Sequence, residues 1–177
     1  IGLTLIFGIM RVVNFTHGEF YTYGAYMVYL FATVLGADFF LSLLAAVMLG
    51  LVLGAAVEFV LLRPLRYASI DTTMLVMTGA WIVMQNTEQL VWGGVAKSVA
   101  HPFPVDPLVL GPISVSWIRV FVFTMAVLLI VAAHLLIHKT RLGKAMRSTF
   151  QDRETAALMG VNINAIHTAT FALGSGL

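Results

Sequence analysis

The stretch Asn14-Phe15-Thr16-His17-Gly18-Glu19-Phe20, NFTHGEF, decides how this chain is read. IGLTLIFGIM precedes it and YTYGAYMVYLFATVLG follows it, both apolar. A polar interruption between two such runs is either a loop in water or a break inside a membrane. The run that follows, 19–36, is short for a full crossing, at about 27 Å by helical rise against roughly 30 Å of hydrocarbon. The residues before it, Val12, Val13, Asn14 and Phe15, are too apolar for a well-hydrated loop. Gly18 permits a backbone break, and Thr16 has the chemistry to cap the helix that follows. Non-helical backbone at membrane depth persists only where protein buries it or where it lines a wet cavity. Helix ends exposed there offer partial charges and free N–H groups to polar cargo. Asn14, Thr16, His17, Gly18 and Glu19 are therefore candidates for a substrate pathway. A water-exposed turn anchored by Arg11 is the competing reading. His17 and Glu19 by themselves make neither a metal site nor a catalytic pair.

The composition supplies the solvent. Of 177 residues, 60% are hydrophobic and 10% charged, with a mean hydropathy of +0.96. Soluble domains carry about 25% charged residues. This chain has too little charge to cover a water-facing surface, and lipid is its natural surrounding. The net charge is +2 and there is no cysteine, hence no disulfide framework, thiol metal site or thiol nucleophile. The sequence opens inside one apolar run and closes inside another, so an internal portion of a longer membrane protein is expected.

Four spans are predicted, at 19–36, 39–62, 73–92 and 117–138, with partial spans at 1–10 and 163–177. All five prolines fall outside these cores, as helix-breaking chemistry requires. The connection 63–72 carries Arg63 and Arg66, and the loop 139–160 carries Lys139, Arg141, Lys144, Arg147 and Arg153. The intervening connections carry far fewer, so both basic loops are expected in the cytoplasm. Trp92 and Trp117 bracket the outer segment 93–116, where interfacial aromatics belong. Alternation near Val109 to Ser116 suggests a short hairpin or an irregular cap. The fold class is an all-α integral membrane protein. It is a polytopic helix bundle, one domain over 1–177, with a discontinuous segment and a cytoplasmic coupling helix.

Smaller patterns refine this. Ala46, Gly50 and Gly54 stay within one face of the second span, and small residues on one face admit a close helix neighbour. Glu58, near the inner end of that span, is placed to reach Arg63 or Arg66, or to snorkel. MQNTEQ puts Gln85 and Asn86 in the outward half of the third span, as an outer vestibule or as the end of the helix. His134 and His138 share a helical face but are too few for a metal, which wants three or four ligands. In the basic loop, Leu142, Met146 and Phe150 recur at four-residue spacing with basic residues between them. One helix over 142–159 is predicted, ended by Gly160, with Asn162 or Asn164 starting the next. It either rests on anionic headgroups or docks its apolar knobs on a cytoplasmic partner.

Two stretches carry a resemblance. GLTLIFGIMRVVNFTHGEFYTYGAY and TRLGKAMRSTFQDRETAALMGVN resemble the opening motif and the coupling segment of the LivH-type permease of branched-chain amino-acid ABC importers. The second also follows the wider importer "EAA" pattern through Glu154, Thr155, Ala156 and Gly160, and RPLR at 63–66 and QN at 85–86 look similar too. Arg11, Thr16 and Thr155 depart from the family's usual residues. The resemblance implies a multi-pass permease in a bacterial inner membrane that pairs with a second permease subunit. It further implies two cytoplasmic ATPase subunits on the coupling segment and an extracytoplasmic binding protein that delivers cargo. Coupling would rest on Arg141, Gly143, Met146, Arg147, Asp152, Glu154, Ala157 and Gly160. ATP and Mg would be handled by the ATPases, since this chain has no phosphate-cradling Gly-Lys-Ser/Thr loop. No catalytic residue, metal, resident cofactor or nucleic-acid partner is expected. The cargo implied is a branched-chain or other hydrophobic amino acid. Urea or a short amide in the same importer class is the alternative, as is an ATP-independent transporter or channel.

Overall fold

The computed structural model describes residues 2–10, 14–66, 68–104, 106–110 and 113–177. Arg11, Val12 and Val13 lie outside the described residues, as do 111–112 in the outer segment. Helix α1 spans Gly2–Met10, and α2 runs His17–Val28 and continues as a π-helical stretch over Tyr29–Val34. Helix α3, Phe39–Val57, likewise ends in a π-helical stretch, Glu58–Leu62. Helix α4 covers Ile70–Trp92 and α5 Trp117–Lys139. Then come α6, Arg141–Gln151, α7, Arg153–Leu158, and α8, Ile163–Gly176. A hairpin, β1 Leu108–Leu110 with β2 Ile113–Val115, pairs antiparallel with Val109 opposite Ser114. It falls where the alternating residues predicted one.

Local chemistry sets the boundaries. Asp38 caps α3 by accepting from the amides of Phe40 and Leu41, and Ser69 caps α4 through the amide of Thr72. The Ser69 cap starts α4 at Ile70, three residues before the predicted start at Thr73. Among the described residues two helices are long and apolar enough to cross a membrane, Phe39–Leu62 and Trp117–Lys139. The polar run from Gln85 to Gln89 dilutes α4, which has the same length as α5.

Antiparallel packing of α3 on α8 forms the spine of the bundle. Gly50 and Gly54 meet Ser175, and Glu58 meets Thr168. Helix α8 also packs antiparallel to α1, with Gly2 against Gly174, while Met10 and His167 line one cavity. Ile6, Phe20, Leu62, Met77 and Phe171 form the buried core where α1 to α4 and α8 converge. The rings of Phe20 and Phe171 meet edge to face at 6.0 Å. Helix α5 stands apart, with Ala133 as its buried residue. Its first turns join Phe39, Phe40 and Phe103 through Phe121, in a cluster that seats the outer segment on the bundle.

Two local expectations are corrected. Thr16 sits at the N-terminus of α2 but makes no side-chain cap bond. Instead Asn14 Oδ1 accepts from both the amide and the hydroxyl of Thr16, so the asparagine closes the turn. The single helix expected over 142–159 is two helices. Asp152, at φ −151 and ψ 108, leaves the helical region and caps α7 by accepting from the amides of Glu154 and Thr155. Gly160, at φ +85, then ends the segment, and Asn162 caps α8.

Candidate functional site

Two of the three residues of the interruption at 14–16 are buried, while Phe15 is 45% exposed. Asn14 is 3% exposed and Thr16 is fully enclosed, between the end of α1 and the start of α2. Its depth follows from its neighbours. Trp81 Nε1 donates to Glu19 Oε1 at 2.7 Å, and Tyr23 OH donates to the carbonyl of Met84. Tyr26 stacks on Trp92 with centroids 4.7 Å apart. Helices α2 and α4 therefore run parallel, but α2 starts beside Trp81, the twelfth of the 23 residues of α4. By helical rise that is about 16 Å from the first residue of α4. Thr16 comes three residues before Glu19, so the turn sits roughly 12 Å along α4, within its length and not at its end.

Polar groups there are left without protein partners. Asn14 Nδ2, His17 Nδ1 and Glu88 Oε1 are buried and have no hydrogen-bond partner among the described residues. Unpaired buried polar atoms are costly; those of Asn14 and His17 lie at the start of α2, and that of Glu88 lies two turns beyond Trp81 on α4. His17 faces α1, where a Cβ at Gly2 would approach its Cε1 at 2.7 Å. Glu19 faces α4 on the other side. Gly18 lies open, with nothing near a Cβ built on it.

Gln85 and Asn86 are placed differently. Both are exposed, and Asn86 turns its amide back to the carbonyl of Ile82. The residue of that polar run that turns inward is Glu88, 6% exposed. Met77, Trp81, Met84 and Glu88 recur at three- and four-residue steps, the signature of one helical face. That spacing was available in the sequence and groups Trp81 and Glu88 on one face; that α2 covers this face follows from the contacts of Trp81 and Met84.

The basic connections gather at one end of the bundle, where Arg66 and Arg153 line the same cavity. Arg66 is paired with Glu58, which also accepts from Thr168 Oγ1. Of the coupling candidates, Arg141, Arg147, Asp152, Glu154, Ala157 and Gly160 are exposed, whereas Gly143 and Met146 are buried. A Cβ on Gly143 would overlap the carbonyls of Leu136 and Ile137, so that glycine folds α6 tightly back on α5. Met146 is 0% exposed, and with Gly143 and Thr149 it forms the inner face of α6. It is a packing residue and not an outward knob. The apolar side chains that do point out are Phe150 at 47%, Leu158 at 86% and Met159 at 80% exposure. Arg147 reaches His138 Nδ1 at 3.2 Å, which ties α6 to the end of α5, where the rings of His134 and His138 stack.

Hydrogen bonds from the hydroxyl and amide of Thr155, and from the amide of Glu154, hold the Asp152 carboxyl below the usual aspartate range. A carboxylate lowered on folding stabilises above its unfolded value, about 3.9, and that contribution is lost as pH falls through the folded value. Protection of the α7 amides, measured against their intrinsic exchange rates, should therefore fall on acidification below about pH 4. Asp152→Asn should exchange faster at neutral pH and lose the acid-dependent step. An identical pH profile in the two proteins would remove the cap from this account.

The family described as the branched-chain amino acid transport system permease component matches residues 1–177. The high-affinity branched-chain amino acid transport system permease protein BraD of Pseudomonas aeruginosa is 30% identical over 190 residues, covering all of this chain and 62% of that protein. The corresponding LivH protein of Escherichia coli K12 is 28% identical over 191 residues, covering all of this chain and 61% of its own. A probable LivH of Methanocaldococcus jannaschii is 25% identical, with 58% of its length covered. The chain thus spans about three fifths of the length of these relatives. No solved structure matches it. A family match from the first residue to the last, over a helical chain with two helices among the described residues fit to cross a membrane, makes this chain a member of the branched-chain amino acid transport permease family.

Proposed function

We propose that the chain forms part of the membrane pathway of an ATP-driven importer for branched-chain or other hydrophobic amino acids. The observation that supports this most is the non-helical turn at 14–16, with Asn14 and Thr16 buried within the length of α4 and unpaired polar atoms on Asn14 and His17. Such a break survives in lipid only where it faces protein or a wet path. Asn14, Thr16, His17, Gly18 and Glu19 would line that path, with Glu88 as an added member. Gln85 and Asn86 would belong to its outer flank. A second permease subunit would complete the conduit, and a binding protein would deliver cargo from outside.

In this reading α6 and α7 are the cytoplasmic lever. Two ATPase subunits, which bind ATP and Mg, would seat Phe150, Leu158 and Met159 in a groove, with Arg141, Arg147 and Glu154 setting the register. Gly143 and Met146 would transmit the push by fixing α6 against α5 and the bundle. Leu158→Asp with Met159→Asp should cut ATP-dependent uptake of leucine at least tenfold, a coupling loss of about 1.4 kcal/mol or more. The assay is uptake into vesicles that contain the assembled transporter at matched expression. Unchanged uptake in that variant would remove α7 from the interface. Uptake that persists without ATP would favour a secondary transporter or channel.

A further inference from the structure

We propose that Glu19 and Glu88 share a single proton and so form a pH-sensitive clasp between α2 and α4. The two carboxyl groups lie within hydrogen-bonding reach of each other where these helices meet. Trp81 Nε1 fixes Glu19 by donating to its Oε1 at 2.7 Å. Glu88 reaches in from two turns further along α4 and is 6% exposed. Its Oε1 is buried and has no hydrogen-bond partner among the described residues. Two ionised carboxylates cannot bond each other, since both only accept. One proton on either carboxyl supplies the missing donor and removes one of two like charges held at close range.

The surroundings offer no other counter-charge. Among the described residues neither Glu19 nor Glu88 forms an ion pair. Helix α2 packs against α3, α4 and α8. Helices α1 and α3 have no ionisable side chain, and α8 has His167 alone, which lines the cavity at the basic end beside Arg66. Glu58, past the end of α3, is engaged by Arg66, and Asp71 sits in the first turn of α4. On α2, His17 faces α1. Tyr23 lies near both carboxyls, with its hydroxyl directed to the carbonyl of Met84 and the side chain of Thr87. The state of lowest energy therefore carries one charge between the two glutamates. While the proton is present, its hydrogen bond ties α2 to α4. Its loss sets two negative charges against each other at that contact and drives the helices apart.

Infrared spectroscopy of the assembled transporter in nanodiscs tests the proton. At about pH 7 the wild type should show the C=O stretch of a protonated carboxyl, although a free glutamate ionises above about 4.3. Glu88→Gln and Glu19→Gln should each erase that band, because sharing requires both carboxyls. Absence of the band from the wild type would overturn the proposal, and so would its survival in both variants, which would assign it to another carboxyl. The clasp is read by reversible unfolding in detergent between about pH 5 and pH 8. The folded chain keeps a proton that the unfolded chain gives up above about pH 4.3, so stability falls as pH rises until the pair itself ionises. Relative to Glu88→Gln, the unfolding constant of the wild type should climb by up to about tenfold per pH unit. Parallel pH profiles in the two proteins would remove the clasp. Both measurements read protonation and stability and not uptake, so their outcome is independent of the transport reading.

Discussion

Glu58→Leu should destabilise the folded bundle by about 3–5 kcal/mol, and Glu58→Leu combined with Arg66→Met should recover most of that loss. Glu58 is fully buried and Arg66 nearly so, and their pair joins the π-helical end of α3 to the turn before α4. Removing the carboxylate alone strands a guanidinium whose Nε already lacks a partner. An uncompensated buried charge is the expensive outcome, whereas two apolar side chains of similar volume can replace the pair at little net cost. Thr168 does not add to the penalty, because its hydroxyl also donates to the carbonyl of Asn164 and keeps that bond. The comparison is reversible unfolding of wild type, both single variants and the double variant in one detergent. A double variant no more stable than the worse single would mean that the two residues contribute separately and that the pair is not the unit.

That pair shows what the sequence makes legible. Glu58 and the two arginines are close in sequence, and a carboxylate near the end of an apolar helix must find a cation or reach water. The choice of Arg66, and the third member Thr168, depend on how α8 returns along α3, and no local pattern encodes that return. The broken helix at 14–16 was legible for a similar reason. Polar residues between apolar runs leave few physical options, and the helix after them is short. Its depth was not legible, because it is set by Trp81 and Met84 far along the chain. The coupling segment misled in one respect. Leu142, Met146 and Phe150 have helical spacing, but spacing reveals that a face is apolar and not which neighbour covers it. Gly143, Met146 and Thr149 bury a different stripe, and Asp152 stops the helix before the outward residues Leu158 and Met159. An aspartate two residues before a glutamate and three before a threonine is a legible cap, and it competes with the continuous apolar period.

Gly54→Ala should cost about 1–3 kcal/mol, while Gly50→Ala, one turn away on the same face, should be nearly neutral. Both glycines lie where α8 crosses α3, but their spaces differ. A Cβ at Gly54 would sit 2.6 Å from both Cβ and Oγ of Ser175 and 3.2 Å from Cα of Ala172. The Ser175 hydroxyl is already fixed on the carbonyl of Phe171 at 2.9 Å, so it has no free rotamer into which to retreat. The helices would have to separate, and the fully buried Phe171 would be unseated with them. At Gly50 the nearest atoms are the Ser175 carbonyl oxygen at 3.3 Å and Gly176 Cα at 3.4 Å, a gap that closes with a shift of tenths of an ångström. There the gain in helix propensity, up to about 1 kcal/mol for alanine over glycine, offsets the strain. Ser175→Gly in the Gly54→Ala background removes the clashing atoms and should restore most of the lost stability. The rescue separates packing from backbone effects, since Ser175→Gly on its own weakens α8 and has no other reason to help. If Gly54→Ala is as stable as Gly50→Ala in the same unfolding assay, the close approach of α8 to α3 is not what holds this bundle together.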